Sequence, residues 1–508
     1  MDDRRQESME SAVIAAVCGE VRGDFKSGRT RSLDWRLAQL KSIVDLIKKH
    51  EEDITEAVAV DMGKPSYECF ASEIFPVKSA CQLAIKNLKN WTAAVNVPPL
   101  LATLPASASM KPEPFGVVLI ISAWNFPFLL SLDPMVGAIA AGNAVVLKPS
   151  EMAPATSALI ARLLPLYLDK SAIRVVEGGV PETTALLQQK WDKIFYTGSP
   201  RVGRIVMAEA AKNLTPVTLE LGGKSPVIVD SSSDLKVKFS SLFRFCLGGF
   251  WLTFLFQVAT RRIAVGKWGN NNGQACVSPD YVLVDSSCST KFIEAMKDTL
   301  KSFYGENPRE SMDISRVVNI NHFNRLVGLL DDPNIASKIA HGGEKDETKL
   351  YIAPTLLEDV PLDSKVMSEE IFGPILPIIS VRSIDEAIDI VNSRPKPLAL
   401  YLFTKKDKVK EKVIAETSAG GMVVNDCCLH FLTTTLPFGG VGESGMGSYH
   451  GKFSFDAFSH HKAILTRPFW MDIMARYPPY SAHKKTFIRC LLEADFVGVI
   501  LCLLGLKG

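Results

Sequence analysis

The sequence predicts an α/β fold with a doubly wound parallel sheet, and two observations support this prediction. Short and almost wholly apolar runs recur between residues 115 and 229: Phe115–Ile121, Ala144–Leu147, Ile173–Val176, Lys193–Tyr196, Val217–Leu221 and Pro226–Val229. Stretches with helical spacing follow these runs. Strands that are buried on both faces and alternate with helices are typical of parallel sheets. Ligands of such sheets bind beyond the carboxyl ends of the strands, so we expect functional residues there.

Other parts of the chain have different patterns. Apolar residues at helical spacing follow Ser32 and Asp34, which can cap a first turn, and Gly63-Lys64-Pro65 ends that helical pattern. Residues 96–114 are broken by prolines and partly alternate, which favours extended backbone. From Gly222 onward the chain is predicted to form a second mixed α/β domain.

Composition places the 508-residue chain among ordinary globular proteins, because 47% of its residues are hydrophobic and 22% are charged. Lysine and arginine number 57 against 55 acidic residues, so no strong field favours nucleic acid. The ten cysteines show no disulfide framework and no paired Cys-x-x-Cys units, and His460-His461 lacks metal-ligand spacing. We therefore expect reduced thiols, no metal and a cytoplasmic location. The acidic start of the chain is unlike a cleaved targeting segment.

A candidate nucleophile lies in Gly273-Gln274-Ala275-Cys276-Val277-Ser278-Pro279. Because Asn271, Asn272 and Gly273 come just before it, Cys276 is expected on a tight turn, where its thiol can face a substrate. A free thiol of pKa about 8.5 is only a few per cent thiolate at neutral pH. The cysteine therefore needs a base and a donor to the substrate oxygen. Taken alone, a single cysteine is more often a small core residue.

Polar side chains stand at the ends of the first two predicted strands. Asn125 follows the first strand, and Lys148 and Glu151 follow the second. A cation and a carboxylate at a strand end can bind the hydroxyls of a ribose.

Glycines mark the end of the fourth predicted strand. Gly198 and Ser199, with Gly203, open a helix whose amino-terminal N–H groups suit a pyrophosphate. Taken alone, this spacing is more often a plain helix start, and no Gly-x-Gly-x-x-Gly stands at a strand end. Spacing alone therefore does not name a dinucleotide.

Six motifs in one order resemble the NAD(P)-dependent aldehyde dehydrogenases, and in particular the class 3, fatty-aldehyde branch with its plant members. The resemblance covers nearly the whole chain. It rests on the cysteine stretch and on Trp124-Asn125-Phe126-Pro127, Lys148-Pro149-Ser150-Glu151, Tyr196-Thr197-Gly198-Ser199, Leu219-Glu220-Leu221-Gly222-Gly223-Lys224 and Glu370-Ile371-Phe372-Gly373-Pro374.

The resemblance implies a domain organisation and a homodimer. The dinucleotide-binding domain would comprise residues 1–95 and 115–221, and the catalytic domain residues 222–443. Residues 96–114 and 444–465 would form a small oligomerisation arm, and residues 466–508 a carboxyl-terminal tail.

The resemblance also implies roles for three catalytic residues. Cys276 attacks an aldehyde carbon, and the Asn125 amide with the Cys276 backbone N–H holds the resulting oxyanion. After hydride loss to the nicotinamide, Glu220 activates the water that hydrolyses the thioester. Judged singly, Glu220 suits a helix cap and Asn125 a turn. Lys224 either orients the region of the base or is solvated.

The expected cofactor is NAD, with NADP as the alternative. Lys148, Glu151, Gly198, Ser199 and Gly203 would bind its adenosine and pyrophosphate. The resemblance implies that Glu370 holds the nicotinamide ribose and that Phe372 flanks the nicotinamide ring. From the residues alone, Glu369-Glu370 is equally well interpreted as a solvated acidic pair. We expect a preference for NAD, because the Glu151 carboxylate repels the extra phosphate of NADP while Lys148 tolerates it.

Residues 237–257 interrupt the family pattern between Glu220 and Cys276. This nearly uncharged segment contains six phenylalanines and a tryptophan. A membrane crossing here would place Glu220 and Cys276 on opposite sides of a bilayer, so we do not favour one. We favour a retained intron instead, because the codons of residues 237–257 can begin with GT and end in a pyrimidine-rich tract before AG. A transcript compared with the genome decides between this origin and a real segment.

The tail contains Lys484-Lys485 and Arg489 before the apolar run Phe496–Leu506. Eleven residues cannot cross a bilayer as one helix, whereas peripheral membrane contact fits an amphipathic tail. Medium- or long-chain aliphatic aldehydes are the expected substrates. Two other functions stay open: an aldehyde dehydrogenase-like protein impaired by residues 237–257, and a cofactor-independent cysteine hydrolase.

Overall fold

The computed structural model describes residues 2–100, 103–233, 258–470 and 472–507. The segment 237–257, with its candidate intron, lies outside these described residues. The chain divides into two compact units. The first comprises Met1–Lys86 and Phe115–Phe458, and the second comprises Asn87–Pro114 and Ser459–Gly508.

Strands of two larger sheets, one three-stranded sheet and one two-stranded sheet, β11-β12, are interspersed with helices along the described chain. The strands are β1 (Val95–Val97), β2 (Ser107–Pro114), β3 (Val117–Ile121), β4 (Ala144–Lys148), β5 (Ile173–Val175), β6 (Lys193–Thr197), β7 (Val217–Glu220), β8 (Pro226–Val229), β9 (Tyr281–Asp285), β10 (Ile339–His341), β11 (Lys345–Asp346), β12 (Tyr351–Ile352), β13 (Thr355–Glu358), β14 (Ile375–Val381), β15 (Ala399–Phe403), β16 (Gly421–Val424), β17 (Gly445–Met446) and β18 (Ser459–Thr466).

The described α-helices range from single turns to helices such as α6, which is buried along its whole length. They are α1 (Asp2–Lys26), α2 (Leu33–Lys49), α3 (Glu51–Met62), α4 (Ser66–Cys69), α5 (Phe75–Trp91), α6 (Pro127–Ala141), α7 (Pro154–Tyr167), α8 (Val180–Leu187), α9 (Pro200–Ala211), α10 (Val258–Lys267), α11 (Ser289–Tyr304), α12 (Ile320–Leu330), α13 (Pro333–Ala336), α14 (Lys365–Ser368), α15 (Ile384–Asn392), α16 (Asp407–Glu416), α17 (Gly451–Ala457), α18 (Ala482–Leu492) and α19 (Phe496–Leu503). A π-helical turn, Phe70–Ile74, joins α4 to α5.

The first sheet of unit one has the strand order β17-β7-β6-β3-β4-β5. Its strands are parallel except β17, which pairs antiparallel with β7 and places Gly445 opposite Glu220. The interior strands are fully buried, as their apolar composition predicts. The predicted α/β fold with parallel sheets is confirmed, and helices α6, α7 and α9 follow β3, β4 and β6.

The sixth predicted strand belongs to a different sheet from the other five. Strand β8 follows β7 without an intervening helix and joins the second sheet, whose order is β10-β13-β14-β9-β8-β15-β16. This sheet is parallel except where β10 pairs antiparallel with β13. Expecting a helix after β7 was wrong, because Leu221–Ser225 only has to carry the chain from one sheet to the next.

The second unit contains a three-stranded antiparallel sheet, β1-β2-β18, and helices α18 and α19. The extended backbone expected for residues 96–114 occurs in β1 and β2. Strand β18 pairs with β2 over its whole length, and Lys462 forms a salt bridge with Glu113. The arm predicted at residues 444–465 falls into both units, because residues 444–458 lie in the first unit, where β17 pairs with β7. Among the described helices, none combines the length and apolar character that a membrane crossing requires.

Candidate active site

Three consecutive residues with left-handed backbone precede the candidate nucleophile. Asn271, Asn272 and Gly273 have φ angles of 52°, 50° and 80°. Such angles are uncommon outside glycine, although asparagine tolerates them better than most residues. At Gly273 a Cβ atom would lie 2.2 Å from the carbonyl oxygen of Gly373, so only glycine fits. The tight turn expected before Cys276 is therefore present.

Side-chain amides anchor this turn to residues 315–318. Asn272 Nδ2 donates to the carbonyl of Ser315 at 2.9 Å, and Gln274 Nε2 donates to the carbonyl of Arg316 at 2.9 Å. Gln274 Oε1 accepts from the N–H of Val318 at 3.0 Å. Cys276 itself is partly exposed, while its neighbours on the loop are buried. The loop therefore presents the thiol from a fixed backbone.

Asn125 lies between β3 and α6 and contacts the same loop. Its Nδ2 donates to the carbonyl of Gln274 at 3.0 Å. Its own carbonyl accepts from Asn271 Nδ2 at 2.9 Å and from Lys64 Nζ at 3.1 Å. The structure thus brings the amide of Asn125 to the loop that carries Cys276. Because a side-chain amide has two N–H groups, one remains for a substrate oxygen.

Glu220 is the last residue of β7 and is buried, with 3% of its surface exposed. Neither carboxyl oxygen has a hydrogen-bond partner among the described residues. Burial raises the pKa of this carboxyl well above its ordinary value of 4.5, because water no longer stabilises the charged form. A buried carboxyl without partners is expensive for stability, and a pKa shifted toward neutrality suits a general base.

The thiol of Cys276 lies in the field of two acidic groups. Burial, followed by the carboxylates of Glu370 and Glu220, raises the pKa of the thiol above its ordinary value of 9.0. Loss of water around the thiol is the largest of these causes and disfavours a thiolate, so the thiol stays protonated until a base removes its proton. Glu220 and Glu370 are thus near enough to Cys276 for their charge states to affect its thiol.

Lys148 and Glu151 form an ion pair at the end of β4. The Lys148 Nζ to Glu151 Oε2 distance is 2.5 Å, and their side chains are 4% and 47% exposed. The carboxylate therefore faces solvent beyond a parallel strand, where a ribose would bind.

Gly198, Ser199 and Gly203 shape the amino terminus of α9. Ser199 caps this helix, since its Oγ accepts from the N–H of Val202 at 3.4 Å. A Cβ atom at Gly198 would lie 2.2 Å from Tyr196 Oη, and one at Gly203 would lie 2.9 Å from Leu221 Cδ2. A glycine turn before a capped helix end suits a pyrophosphate group, so these residues fit a dinucleotide.

Glu370 and Phe372 lie on the segment that approaches Gly222. A Cβ atom at Gly222 would stand 2.2 Å from Glu370 Oε2. Burial and the nearby Asp280 raise the pKa of Glu370 to about 8. Phe372 packs edge-on against Trp124, with ring centroids 5.5 Å apart. The acidic pair is therefore not simply solvated, because the Glu370 carboxyl lies against Gly222 and Glu369 forms a salt bridge with Arg325.

Lys224 is a structural anchor rather than a solvated side chain. Its Nζ forms an ion pair with Asp280 and donates to the carbonyls of Val366 and Glu369, each at 2.9 Å. Asp280 also accepts from the N–H of Ile371 at 3.0 Å. Together these bonds fix the backbone on both sides of Glu370.

Sequence reasoning missed four buried charged residues near the site. They are Lys64, Glu68, Glu73 and Lys267. The sequence offered one weak signal, which is that these charged residues stand among apolar ones or beside a helix end. A charged residue that is buried there is expected to have a partner. Within the described residues, no group of three or more His, Cys, Asp or Glu side chains is placed to hold a metal ion.

Known proteins resemble this chain along almost its whole length. The sequence model of the aldehyde dehydrogenase family matches residues 4–248 and 256–464, with its interruption inside 237–257. Aldehyde dehydrogenase family 3 member H1 of Arabidopsis thaliana is 55% identical over 98% of both chains. The "Aldehyde dehydrogenase, dimeric NADP-preferring" of Mus musculus is 48% identical, over 92% of this chain and 98% of its own.

A solved structure of Staphylococcus aureus AldH in a substrate-bound state has the same fold. It superposes with a TM-score of 0.87 at 43% identity and covers 94% of this chain and 99% of its own. The site geometry and these similarities agree. The chain belongs to the aldehyde dehydrogenase family, resembles family 3 members over almost its whole length, and is an oxidoreductase that uses NAD or NADP.

Proposed function

We propose that this chain oxidises medium- and long-chain aliphatic aldehydes, such as those derived from lipids, through a thioester on Cys276. The observation that carries the proposal is the hydrogen bond from Asn125 Nδ2 to the carbonyl of Gln274, two residues before the nucleophile. The bond holds the Asn125 amide at the loop that carries the partly exposed thiol, which supports a role for this amide as oxyanion donor. Trp124 packs against Phe372 and His322, so the surface next to Asn125 is aromatic and favours apolar substrates.

Cys276 attacks the aldehyde carbon as its thiol proton passes to solvent water at the partly exposed thiol. The carbonyl oxygen becomes an oxyanion, held by the second N–H of the Asn125 amide and by the Cys276 backbone N–H. Bound NAD or NADP supplies the nicotinamide that accepts the hydride leaving this carbon. Glu220 then takes a proton from water, the hydroxide adds to the thioester, and the sulfur leaves as the acid is released.

Removing the nucleophile or the oxyanion donor should affect the rate differently. Cys276→Ala should abolish aldehyde-dependent reduction of NAD with hexanal. Asn125→Ala should lower kcat about 10²- to 10³-fold, because one oxyanion donor is worth about 2.7–4 kcal/mol of barrier. The absorbance of the reduced nicotinamide measures both.

The same assay on a chain lacking residues 237–257 is the control for the interruption of the family pattern. Activity only in the shortened chain would identify the full chain as impaired. Ester hydrolysis without cofactor, in the absence of aldehyde oxidation, would instead support a cysteine hydrolase. Undiminished oxidation by Cys276→Ala would contradict the mechanism.

The pH dependence of turnover should follow the ionisation of Glu220. Because burial raises its pKa, the carboxyl is protonated at low pH and cannot accept a proton, so kcat should rise with pH well above 4.5. Glu220→Gln should remove this rise and leave one rapid burst of reduced nicotinamide per site, followed by slow turnover. Stopped-flow absorbance over a pH series measures both effects.

Stability provides the control for Glu220→Gln. Above about pH 4.5 the unfolded chain releases the Glu220 proton while the folded chain retains it, so this carboxyl's contribution to stability falls as pH rises. The variant has no such proton. Its free energy of unfolding, relative to the wild type, should therefore increase by at most about 1.4 kcal/mol per pH unit. A constant difference in urea unfolding across pH would show that the Glu220 pKa is not raised.

NAD is the proposed preferred cofactor. The Glu151 carboxylate faces solvent beside Lys148 and would accept bonds from the two ribose hydroxyls of NAD. It would repel the additional phosphate of NADP, although the neighbouring Lys148 ammonium reduces this repulsion. The preference should consequently be moderate.

Glu151→Gln should shift the ratio of kcat/KM for NAD to that for NADP toward NADP by on the order of tenfold, about 1.4 kcal/mol. Steady-state kinetics with each cofactor measure the ratio. Glu209→Gln is the matched control, because Glu209 pairs with Lys212 on the exposed surface of α9. A wild type that clearly prefers NADP, or an unchanged ratio in Glu151→Gln, would overturn this role.

The second unit supports a homodimer. Strand β18 is eight residues long and stands at an edge of its sheet, and an edge strand can pair with another chain. A similar mouse protein is named dimeric. We propose that residues 96–114 and strand β18, residues 459–466, form the arm through which two chains pair.

The tail supports peripheral contact with an anionic lipid surface. Phe496, Ile500 and Leu503 recur along α19 and are 64%, 56% and 71% exposed. Lys485 and Arg489 are exposed on α18, so basic groups accompany the apolar face. Such a combination is typical of helices that lie at a membrane surface.

A cytoplasmic location is proposed as well, since the cysteines of the described residues are all free thiols.

Sedimentation should test both proposals. In analytical ultracentrifugation, the protein alone should have the mass of two chains. In a separate pelleting assay, vesicles that contain phosphatidylserine should bind the protein more than neutral phosphatidylcholine vesicles do. Ile500→Asp should release the protein from vesicles, whereas Leu214→Asp, at an exposed leucine of the first unit, should not. A single-chain mass would contradict the dimer, and equal binding of both variants would contradict the lipid contact.

A further inference from the structure

A charged pair is buried behind Asn125. Lys64 Nζ and Glu73 Oε1 are 2.7 Å apart, and both side chains are 0% exposed. Removing two ions from water is unfavourable unless additional hydrogen bonds satisfy them, and an apolar pair often fills such a space equally well. The contacts of the two side chains therefore indicate what the pair does.

Lys64 contacts the backbone of the oxyanion donor. Its Nζ donates to the carbonyl of Asn125 at 3.1 Å and lies 4.1 Å from the ring centroid of Phe126. The Lys64 ammonium thus forms a hydrogen bond with the peptide group that joins Asn125 to Phe126. Asn271 Nδ2 is the other donor to this carbonyl, so the peptide is held from two directions.

Glu73 contacts the next turn of chain. Its Oε2 accepts from the N–H of Phe128 at 3.1 Å and from the N–H of Leu129 at 2.9 Å. These N–H groups belong to the first turn of α6, which have no partner within the helix and favour an anion. Lys64 and Glu73 therefore hold the chain on both sides of Phe126, immediately after Asn125.

The segment from Gly63 to Ile74 is shaped for this contact. Gly63, with φ of 62°, ends α3 and turns the chain so that Lys64 points inward. Glu73 lies in the π-helical turn Phe70–Ile74, a rare conformation that is frequent at functional sites. Glu68, earlier in the segment, accepts from the N–H of Asn271 at 2.5 Å. One segment thus contacts both the Asn125 backbone and the loop of Cys276.

We propose that Lys64, held by Glu73, is a positioning residue that keeps the Asn125 amide directed at the substrate oxygen. The inference rests on the proposed function, since it requires Asn125 to be the oxyanion donor. Fixing the Asn125 peptide from behind limits rotation of its side chain away from the oxyanion. A misplacement of about 1 Å at such a group can cost on the order of a hundredfold in rate.

Lys64→Met should lower kcat about ten- to a hundredfold while changing KM for NAD little, because the cofactor contacts lie elsewhere. The decisive readout is the double variant. If Lys64 acts through Asn125, then Lys64→Met should cost almost nothing further in Asn125→Ala. Steady-state kinetics with hexanal, on wild type, both single variants and the double variant, measure this coupling.

Two further variants separate positioning from a general loss of stability. Lys193→Met also removes a buried lysine, at the amino end of β6 away from the site, and should leave kcat unchanged. Glu73→Gln keeps the shape but weakens the hold on Lys64, and should lower kcat less than Lys64→Met does. It serves as the test if Lys64→Met does not fold.

The outcomes distinguish the inference from the function on which it rests. If Asn125→Ala retains full kcat, the proposed role of Asn125 fails. If Asn125→Ala is slow but Lys64→Met and Glu73→Gln turn over like the wild type, the positioning role fails. Additive losses in the double variant would also overturn it, because they would show that Lys64 acts independently of Asn125.

Discussion

The hydrogen bond from the Asn125 amide to the carbonyl of Gln274 is the contact on which the site depends. Asn125 follows β3 of the first sheet, and Gln274 stands on the loop that precedes β9 of the second sheet. The bond therefore joins the carboxyl end of strand β3, in the first sheet, to the loop of Cys276, which precedes strand β9 of the second sheet. The left-handed turn at Asn271–Gly273 makes this approach feasible, since it folds the loop tightly enough to present both the carbonyl and the thiol.

Charge is distributed unevenly around this contact. Glu220 is buried without a hydrogen-bond partner among the described residues, whereas Asp280 is paired with Lys224. The carboxyl with no partner has a strongly raised pKa and can exchange a proton. The paired carboxylate fixes backbone near Glu370 instead. In the proposed function, therefore, one carboxyl group serves proton transfer and the other serves structure, according to their partners.

The sequence was sufficient for features whose signals are local. Apolar runs located the strands, and the glycines and asparagines before Cys276 predicted its turn. It could not show that β8 leaves the first sheet, because strands of both sheets have the same apolar composition. Nor could it pair Glu68 with Asn271, which are 203 positions apart and meet only in the folded chain. Long-range polar pairs of this kind hold the site, and they leave no periodic pattern.

The central claim is that the sulfur of Cys276 carries the acyl group during turnover. Peptide mass spectrometry of protein quenched in acid, with hexanal and NAD present, tests it most directly in Glu220→Gln, where hydrolysis is slow. A hexanoyl group on the peptide containing Cys276, absent when NAD is omitted, is the predicted result. Oxidised product formed without any acyl group on that peptide, or an acyl group on another residue, would contradict the account.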